Sequence, residues 1–258
     1  MSQYLWLIPL GFVIGAFGTL IGAGGGFVLV PLLLILYPKE NPEVITSISL
    51  AVVFFNAFSG SVAYARMKRI DYRAGIFFSL VGIPGAILGA LTTYYVPREV
   101  FHAVCGMAML LAAGYLLWQP APHQNPEPQE IPEEAAPRIS FNLPLGALIS
   151  ACVGYVSSLL GIGGGIIHVP ALIRVLNFPV HVATATSHFI LAVMALTGTV
   201  VHVASGAFHV GFRRTFFLAI GVVAGAQVGA ALSRHVRGPW IIRALAIALA
   251  LVALRLLL

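Results

Sequence analysis

A nearly uncharged chain that carries a helix-breaking cluster deep inside its apolar sequence has few folds open to it. Here the cluster occurs twice. Gly22-Ala23-Gly24-Gly25-Gly26 leads into Val30-Pro31, and Gly161-Ile162-Gly163-Gly164-Gly165 leads into Val169-Pro170, 139 residues further on. No charged side chain precedes Lys39; 59% of the 258 residues are hydrophobic, 9% are charged and mean hydropathy is +0.97, where a soluble domain is about 25% charged. That composition belongs to a polytopic membrane protein. Residues 4–22 read as a retained transmembrane segment, because no basic stretch stands ahead of them.

The net charge of +6 does not indicate nucleic acid. Arg66, Lys68, Arg69 and Arg73 share one short loop and most other cations sit at segment ends, the pattern of charge that sets membrane topology. Cys105 and Cys152 fall one per half, with neither CxxC nor metal-type spacing, and read as packing residues.

Apolar runs long enough to span, about 20 residues each, lie near 4–37, 44–65, 74–97, 99–118, 142–173, 181–205, 214–233 and 238–258. Between the fourth and fifth, residues 119–140 hold Pro120, Pro122, Pro126, Pro128, Pro132 and Pro137 with Glu127, Glu130, Glu133 and Glu134. Such a stretch favours extended polyproline over a packed fold. It is expected to be a cytoplasmic linker between a first transmembrane repeat, 1–118, and a second, 141–258.

The duplication extends past the glycines. At the 139 offset Gly11, Gly15, Gly18 and Gly22 meet Ser150, Gly154, Ser157 and Gly161; at 138, Thr46, Ser49, Ala57, Gly60 and Val62 meet Thr184, Ser187, Ala195, Gly198 and Val200; at 140, Phe77, Gly85, Gly89 and Ala90 meet Phe217, Gly225, Gly229 and Ala230. Small residues on one helix face let backbones approach closely in lipid. The expected fold is therefore an all-α polytopic membrane protein of about eight segments, in two homologous four-segment halves whose first helices are broken by glycine. Residues 4–37 as one helix would measure about 50 Å against a hydrocarbon core of about 30 Å, so the run must break. If 27–37 continues across the membrane the repeats are parallel, and if it folds back they are inverted. Lysine and arginine counts fit either, and the frequency of broken helices in inverted-repeat transporters tips the balance slightly towards inversion.

Three successive glycines facing lipid would free amides that lipid cannot satisfy, so the break must line a cavity or lie buried in protein. The helix restarting after each break presents N-terminal amides and a positive dipole end. Gly24, Gly25, Gly26, Gly163, Gly164 and Gly165 are accordingly the expected anion cradle, with Pro31 and Pro170 as hinges that each lack one helical hydrogen bond. The alternative is that the glycines serve only tight crossing. Neither a dinucleotide fingerprint nor a P-loop fits, since Phe27 follows the glycines and no Gly-Lys-Ser/Thr ending is present.

Hydroxyls of Thr46 and Ser49, matched by Thr184 and Ser187, can replace part of an anion's hydration without trapping it, though the same residues commonly bond helices together. His188 adjoins the second hydroxyl set and His168 follows the second glycine break, where the first half has Leu50 and Leu29. No Asp or Glu lies well inside a span, so a coupled proton would need histidine, His188 first and His168 second, each with a purely structural alternative. No metal site is expected: His181 and His188, like His202 and His209, stand seven apart, about 10 Å along a helix. Asn56 and Gln227 read as interhelix bonds, with substrate contact as the alternative, and Arg243 and Arg255 as snorkelling cations.

The duplicated GxGGG-x4-P element, four apolar segments per half, the Thr/Ser-rich start of the second segment and the acidic, proline-rich linker resemble the sulfite exporter TauE/SafE-type permeases over nearly the whole chain. The resemblance implies a secondary transporter without cofactor, moving a small anion such as sulfite or an organosulfonate across the bacterial inner membrane. The bilayer is then its medium, and a proton its candidate co-substrate. A passive anion channel, and a haem-bearing redox subunit using His168, His188 or His202, are the alternatives. Oligomeric state is not legible.

Overall fold

The computed structural model describes residues 4–118 and 142–233, together with residues 250, 253 and 254. The expected linker, 119–140, lies outside the described residues, as does nearly all of the last expected segment. The described chain is helical throughout: α1 (Leu7–Ile21), α2 (Gly26–Leu36), α3 (Pro42–Arg66), α4 (Tyr72–Thr93), α5 (Arg98–Trp118), α6 (Leu143–Leu160), α7 (Gly165–Arg174), α8 (Val180–Ala204) and α9 (Phe208–Leu232). Among them α3, α4, α6, α8 and α9 are long and apolar enough to cross a membrane, while α1, α2 and α7 are shorter apolar helices.

Local chemistry sets the helix ends. Asp71 accepts the Ala74 amide at 3.0 Å and Asn142 accepts that of Leu145 at 3.2 Å, capping α4 and α6. Pro42 and Pro144 fill first-turn positions, where no amide is needed. The two long apolar runs break where their glycines stand. Gly22 (φ +82°) closes α1 in a Schellman turn, its own amide donating to the Thr19 carbonyl at 3.0 Å and that of Ala23 to Gly18 at 2.9 Å.

α1 does not run on into α2 as one crossing. Gly25 lies back against Ile14, and Tyr37, just past α2, is close enough to Tyr4, just before α1, for their phenols to interact. The pair thus leaves and regains one face of the bundle. The starts of α3, α5 and α9 gather on that face. Glu40 pairs with Arg214 at 2.8 Å and its carbonyl accepts from Arg98 at 2.7 Å, the Arg214 guanidinium sits 3.9 Å over the Tyr37 ring, and Tyr4 stacks on Phe217. Burial pushes the Tyr37 phenol up against the opposing pull of Arg214, and Tyr4 and Glu40 add to the rise. The starts of α4, α6 and α8 and the end of α7 gather on the opposite face, where Ala74, Phe78, Leu172, Leu176, Phe178 and Val182 form one cluster and the Asp71 amide donates to Thr186 Oγ1 at 3.0 Å.

α3 and α8 cross in the middle, α1 pairs with α9, and α6 pairs with α4. Both outer pairs are parallel and built on glycine. Gly221, Gly225 and Gly229 lie on the carbonyls of Ile8, Phe12 and Ala16, as Gly85 and Gly89 lie on those of Ala151 and Tyr155. Gly15 returns the contact in α1, where a Cβ would stand 2.6 Å from the Val222 oxygen, and Gly154 does so in α6 against Gly82. Without such approach the helices would have only side-chain dispersion to hold them, since lipid offers no hydrophobic drive for association. The cysteines part company: Cys105 is buried, whereas Cys152 is exposed and is not the packing residue its apolar sequence context predicts.

Gly225→Ala is expected to destabilise the protein by about 1–3 kcal/mol through backbone displacement, whereas Gly114→Ala, with open space around it, should be neutral or slightly stabilising. Thermal unfolding of the two variants in detergent checks this, and equal midpoints would mean the α1 and α9 backbones need not touch.

Candidate functional site

The two glycine breaks meet at the centre of the bundle. In each, three glycines adopt left-handed backbone at equivalent places: Gly22, Gly24 and Gly25 (φ +82°, +78° and +79°) and Gly161, Gly163 and Gly164 (φ +68°, +81° and +63°). Gly25 and Gly164 are the N-caps of α2 and α7. The breaks lie against each other, for a Cβ on Gly26 would stand 2.7 Å from the Ile162 oxygen and one on Gly165 2.6 Å from the Gly22 oxygen. Each break also rests on the opposite half: Gly22 on Thr184 and Gly161 on Thr46. Val53 of α3 and Leu191 of α8 pack over both Gly24 and Gly163.

Turning the chain this sharply leaves donors unused. The Gly24 amide returns to the Gly18 carbonyl at 3.1 Å and that of Gly165 to Gly163 at 2.7 Å. The amides of Gly25, Gly26 and Phe27 and of Gly164 and Ile166 make no hydrogen bond among the described residues. All but Ile166 belong to buried residues. Buried backbone donors without partners are rare in proteins, and the first amides of a helix are where an anion is readily held.

The four hydroxyls singled out by sequence fare differently. Thr46 Oγ1 turns back to the carbonyls of Pro42 and Glu43, both at 3.0 Å, with His202 Nε2 at 3.4 Å. Thr184 Oγ1 bonds the Val180 carbonyl at 2.9 Å within its own helix. Ser49 Oγ donates at 2.6 Å to the Gly161 carbonyl, tying α3 to the opposite break. Ser187 is fully buried and its Oγ has no hydrogen-bond partner, although it is the counterpart of Ser49.

His188 lies beside the first break, fully buried, with the Gly22 backbone near enough to act on its ring as a hydrogen-bond acceptor. Its Nε2 is 3.3 Å from Thr19 Oγ1, its Nδ1 has no hydrogen-bond partner, and Tyr64 meets it edge to face with centroids 5.7 Å apart. His168 is also buried, in the second turn of α7. Pro31 and Pro170 sit at matching places inside α2 and α7. Gln227 donates to Ser59, to both carbonyl and hydroxyl at 2.8 Å, as an interhelix bond.

Thr19 is the residue that sequence reasoning misses. It accepts or donates in three directions: its hydroxyl to Asn56 Oδ1 at 3.1 Å, the same oxygen towards His188, and its carbonyl from the Tyr64 hydroxyl at 2.8 Å. Asn56 completes the set by donating from Nδ2 to the Gly24 carbonyl at 2.9 Å. The available signal was the hydroxyl at the same repeat position in both halves, Thr19 and Ser158.

A separate cavity of about 370 Å³ opens between α3 and α8, walled by Phe54, Phe58, Ser61, Phe189, Val193 and Leu196 among others. It contains none of the glycine-break residues.

No solved structure matches the chain. It is 32% identical to the probable membrane transporter protein YunE of Bacillus subtilis, over 99% of this chain and 97% of that one. It is 26% identical to a probable membrane transporter protein of Methanocaldococcus jannaschii, over 77% and 73% of the two chains, and 27% identical to one of Xylella fastidiosa, over 74% and 69%. The family model described as sulfite exporter TauE/SafE matches residues 7–256, so this integral membrane protein with paired glycine breaks belongs to the TauE/SafE family of membrane transporters.

Proposed function

We infer that the protein is a secondary transporter of a small anion, sulfite or an organosulfonate, across the bacterial inner membrane, with the anion held where the two glycine breaks meet. The observation that carries this reading is the set of unbonded amides at the N-termini of α2 and α7, those of the buried Gly25, Gly26, Phe27 and Gly164 and of the half-buried Ile166. Amides arranged in this way offer donors and dipole without fixed charge. Ser187 adds a hydroxyl that has no hydrogen-bond partner among the described residues. Thr46, Ser49 and Thr184 support the site through backbone bonds.

The halves 1–118 and 141–258 are read as inverted repeats joined by a cytoplasmic linker at 119–140. Support comes from the helix ends: α1 starts and α2 ends on one face, α6 starts and α7 ends on the other, and the parallel pair α1 with α9 mirrors α6 with α4. Pro31 and Pro170 weaken α2 and α7 at equivalent points and serve as hinges. His188, which touches the first break, is the coupling residue in preference to His168.

Purified protein in liposomes is expected to accumulate sulfite or a small sulfonate when a pH gradient is imposed. Flux that a gradient cannot drive uphill would make it a passive channel, and no flux for the whole panel by inserted protein would remove the sulfur-anion assignment. Ser187→Ala should raise KM by about tenfold or more, the effect of one hydrogen bond to a charged group, with kcat less affected; an unchanged KM would take Ser187 out of the site. Gly165→Ala should lower the unfolding midpoint and abolish transport, because its methyl would separate the two breaks; wild-type transport by this variant would mean that the breaks need not touch.

A further inference from the structure

The tautomer of a buried histidine follows from the partners of its neighbours, and here the chain of partners closes. The Gly24 carbonyl can only accept, so the group of Asn56 that meets it at 2.9 Å is the NH2, and Oδ1 faces Thr19. Oδ1 can only accept, so the Thr19 hydroxyl spends its single proton there, at 3.1 Å. Thr19 Oγ1 is then left with lone pairs alone towards His188 Nε2, 3.3 Å away, and Nε2 must carry the proton. Nδ1 is left as a lone pair in a residue of zero exposure, with no close hydrogen-bond partner among the described residues, while the Gly22 backbone lies near enough to the ring to act on it as an acceptor.

At the equivalent position in the other half this arrangement is missing. Leu50 stands for His188, Ser158 for Thr19 and Met194 for Asn56, and the Ser158 hydroxyl is left without a partner. The packing is nonetheless the same. A Cβ on Gly60 would meet His188 and Thr19, as one on the matching Gly198 would meet Leu50 and Ser158. Polar chemistry has been built into one of two equivalent frames.

We propose that Thr19 and Asn56 are positioning residues that hold His188 as the Nε2–H tautomer, so that Nδ1 is the atom that takes up the proton accompanying the anion. This rests on the reading of the glycine breaks as the anion site. The proton comes from water on the open side, bonds to the Nδ1 lone pair and makes the ring a cation; it returns to water when the anion leaves. A buried imidazolium without a counter-charge is costly, and so is a buried anion, so each makes room for the other. Tyr64 of α3 is the titratable side chain that faces the ring, α1 contributes Thr19 and the break contributes Gly22, and no charged side chain among the described residues acts on it. The Tyr64 hydroxyl donates to the Thr19 carbonyl and so keeps Thr19 in place without competing for its Oγ1.

Ring-15N histidine labelling of the full-length protein in nanodiscs, with His188→Gln to assign the signal, reads the tautomer directly. The wild type should show an unprotonated Nδ1 and a protonated Nε2 at neutral pH. In Asn56→Leu the Thr19 hydroxyl loses its acceptor and turns to Nε2, shifting the tautomer ratio by about tenfold or more towards Nδ1–H. Thr19→Val, close in shape to the original, should also release the preference, and Thr19→Ser should restore it. A wild-type ring protonated at Nδ1, or a ratio unmoved in both Asn56→Leu and Thr19→Val, overturns the assignment. Sulfite transport in liposomes supplies the second arm: Thr19→Val should displace the pH profile and Thr19→Ser should recover it, and a Thr19→Val profile identical to wild type removes the positioning role. Wild-type protein that moves neither sulfite nor any small sulfonate would count against the anion reading alone, since the nitrogen signals are measured without substrate.

Discussion

Everything in this fold depends on backbone meeting backbone at the point where the two glycine breaks cross. Gly26 against the Ile162 carbonyl, and Gly165 against Gly22, leave no room for a Cβ, and the left-handed turns on either side exclude most other residues on conformational grounds. Because the breaks touch, their carbonyls are brought within reach of the central helices. Ser49 of α3 ties to Gly161, and Asn56 of the same helix ties to Gly24, so one helix anchors both breaks. The outer pairs follow the same rule, with glycine on carbonyl along α1 and α9 and along α4 and α6.

This reliance on close approach explains why the chain can be so poor in charge and yet specific. In lipid, apolar side chains do not select one helix partner over another, since the solvent is as apolar as they are. Glycine rows do select, because only matching rows let two helices approach to contact distance. Charge helps at one face, where the Glu40 carboxylate pairs with Arg214 and its carbonyl accepts from Arg98, holding the ends of α2, α5 and α9 together.

Much of this was legible in the sequence. Both breaks fall where their glycines stand, and the helices bounded by 44–65, 74–97, 99–118 and 181–205 are found within a few residues of those limits. α9 begins earlier than expected, at Phe208, because Arg213 lies within the helix rather than before it; Arg214, the first residue of the expected span, pairs with Glu40 and sits over the Tyr37 ring. The return of α2 towards the start of α1 was one of two options, and local sequence could not choose between them because what distinguishes them is the proximity of groups far apart in the chain, such as Tyr4 and Tyr37. The hydroxyls were the least legible part. Thr46 and Ser49 are three residues apart on one helix, yet Thr46 turns to its own backbone and Ser49 to another helix. Residue type gives the capacity for a bond, and only the neighbours decide where it goes. Thr19 was hidden for the same reason, a lone threonine in an apolar helix whose partners come from α3 and α8.

Among the described residues no lysine or arginine stands at the breaks, which suits the turnover proposed for them. A lysine or arginine beside Gly24 or Gly163 would have to stay charged in a buried site whenever the anion was absent, which is costly, and would hold the anion strongly whenever it was present. Amide donors avoid both problems, being neutral when empty and weak one by one. Their cost is of another kind: a buried amide without a partner is unfavourable, and there are several here. That cost is sustained by the packing of Val53 and Leu191 over both breaks and by the glycine contacts behind them, which fix the backbone before any ligand arrives. The contacts that make the fold thus also hold these donors in place, and the part of the chain with the fewest alternatives in sequence is also one with unspent hydrogen-bonding capacity among the described residues.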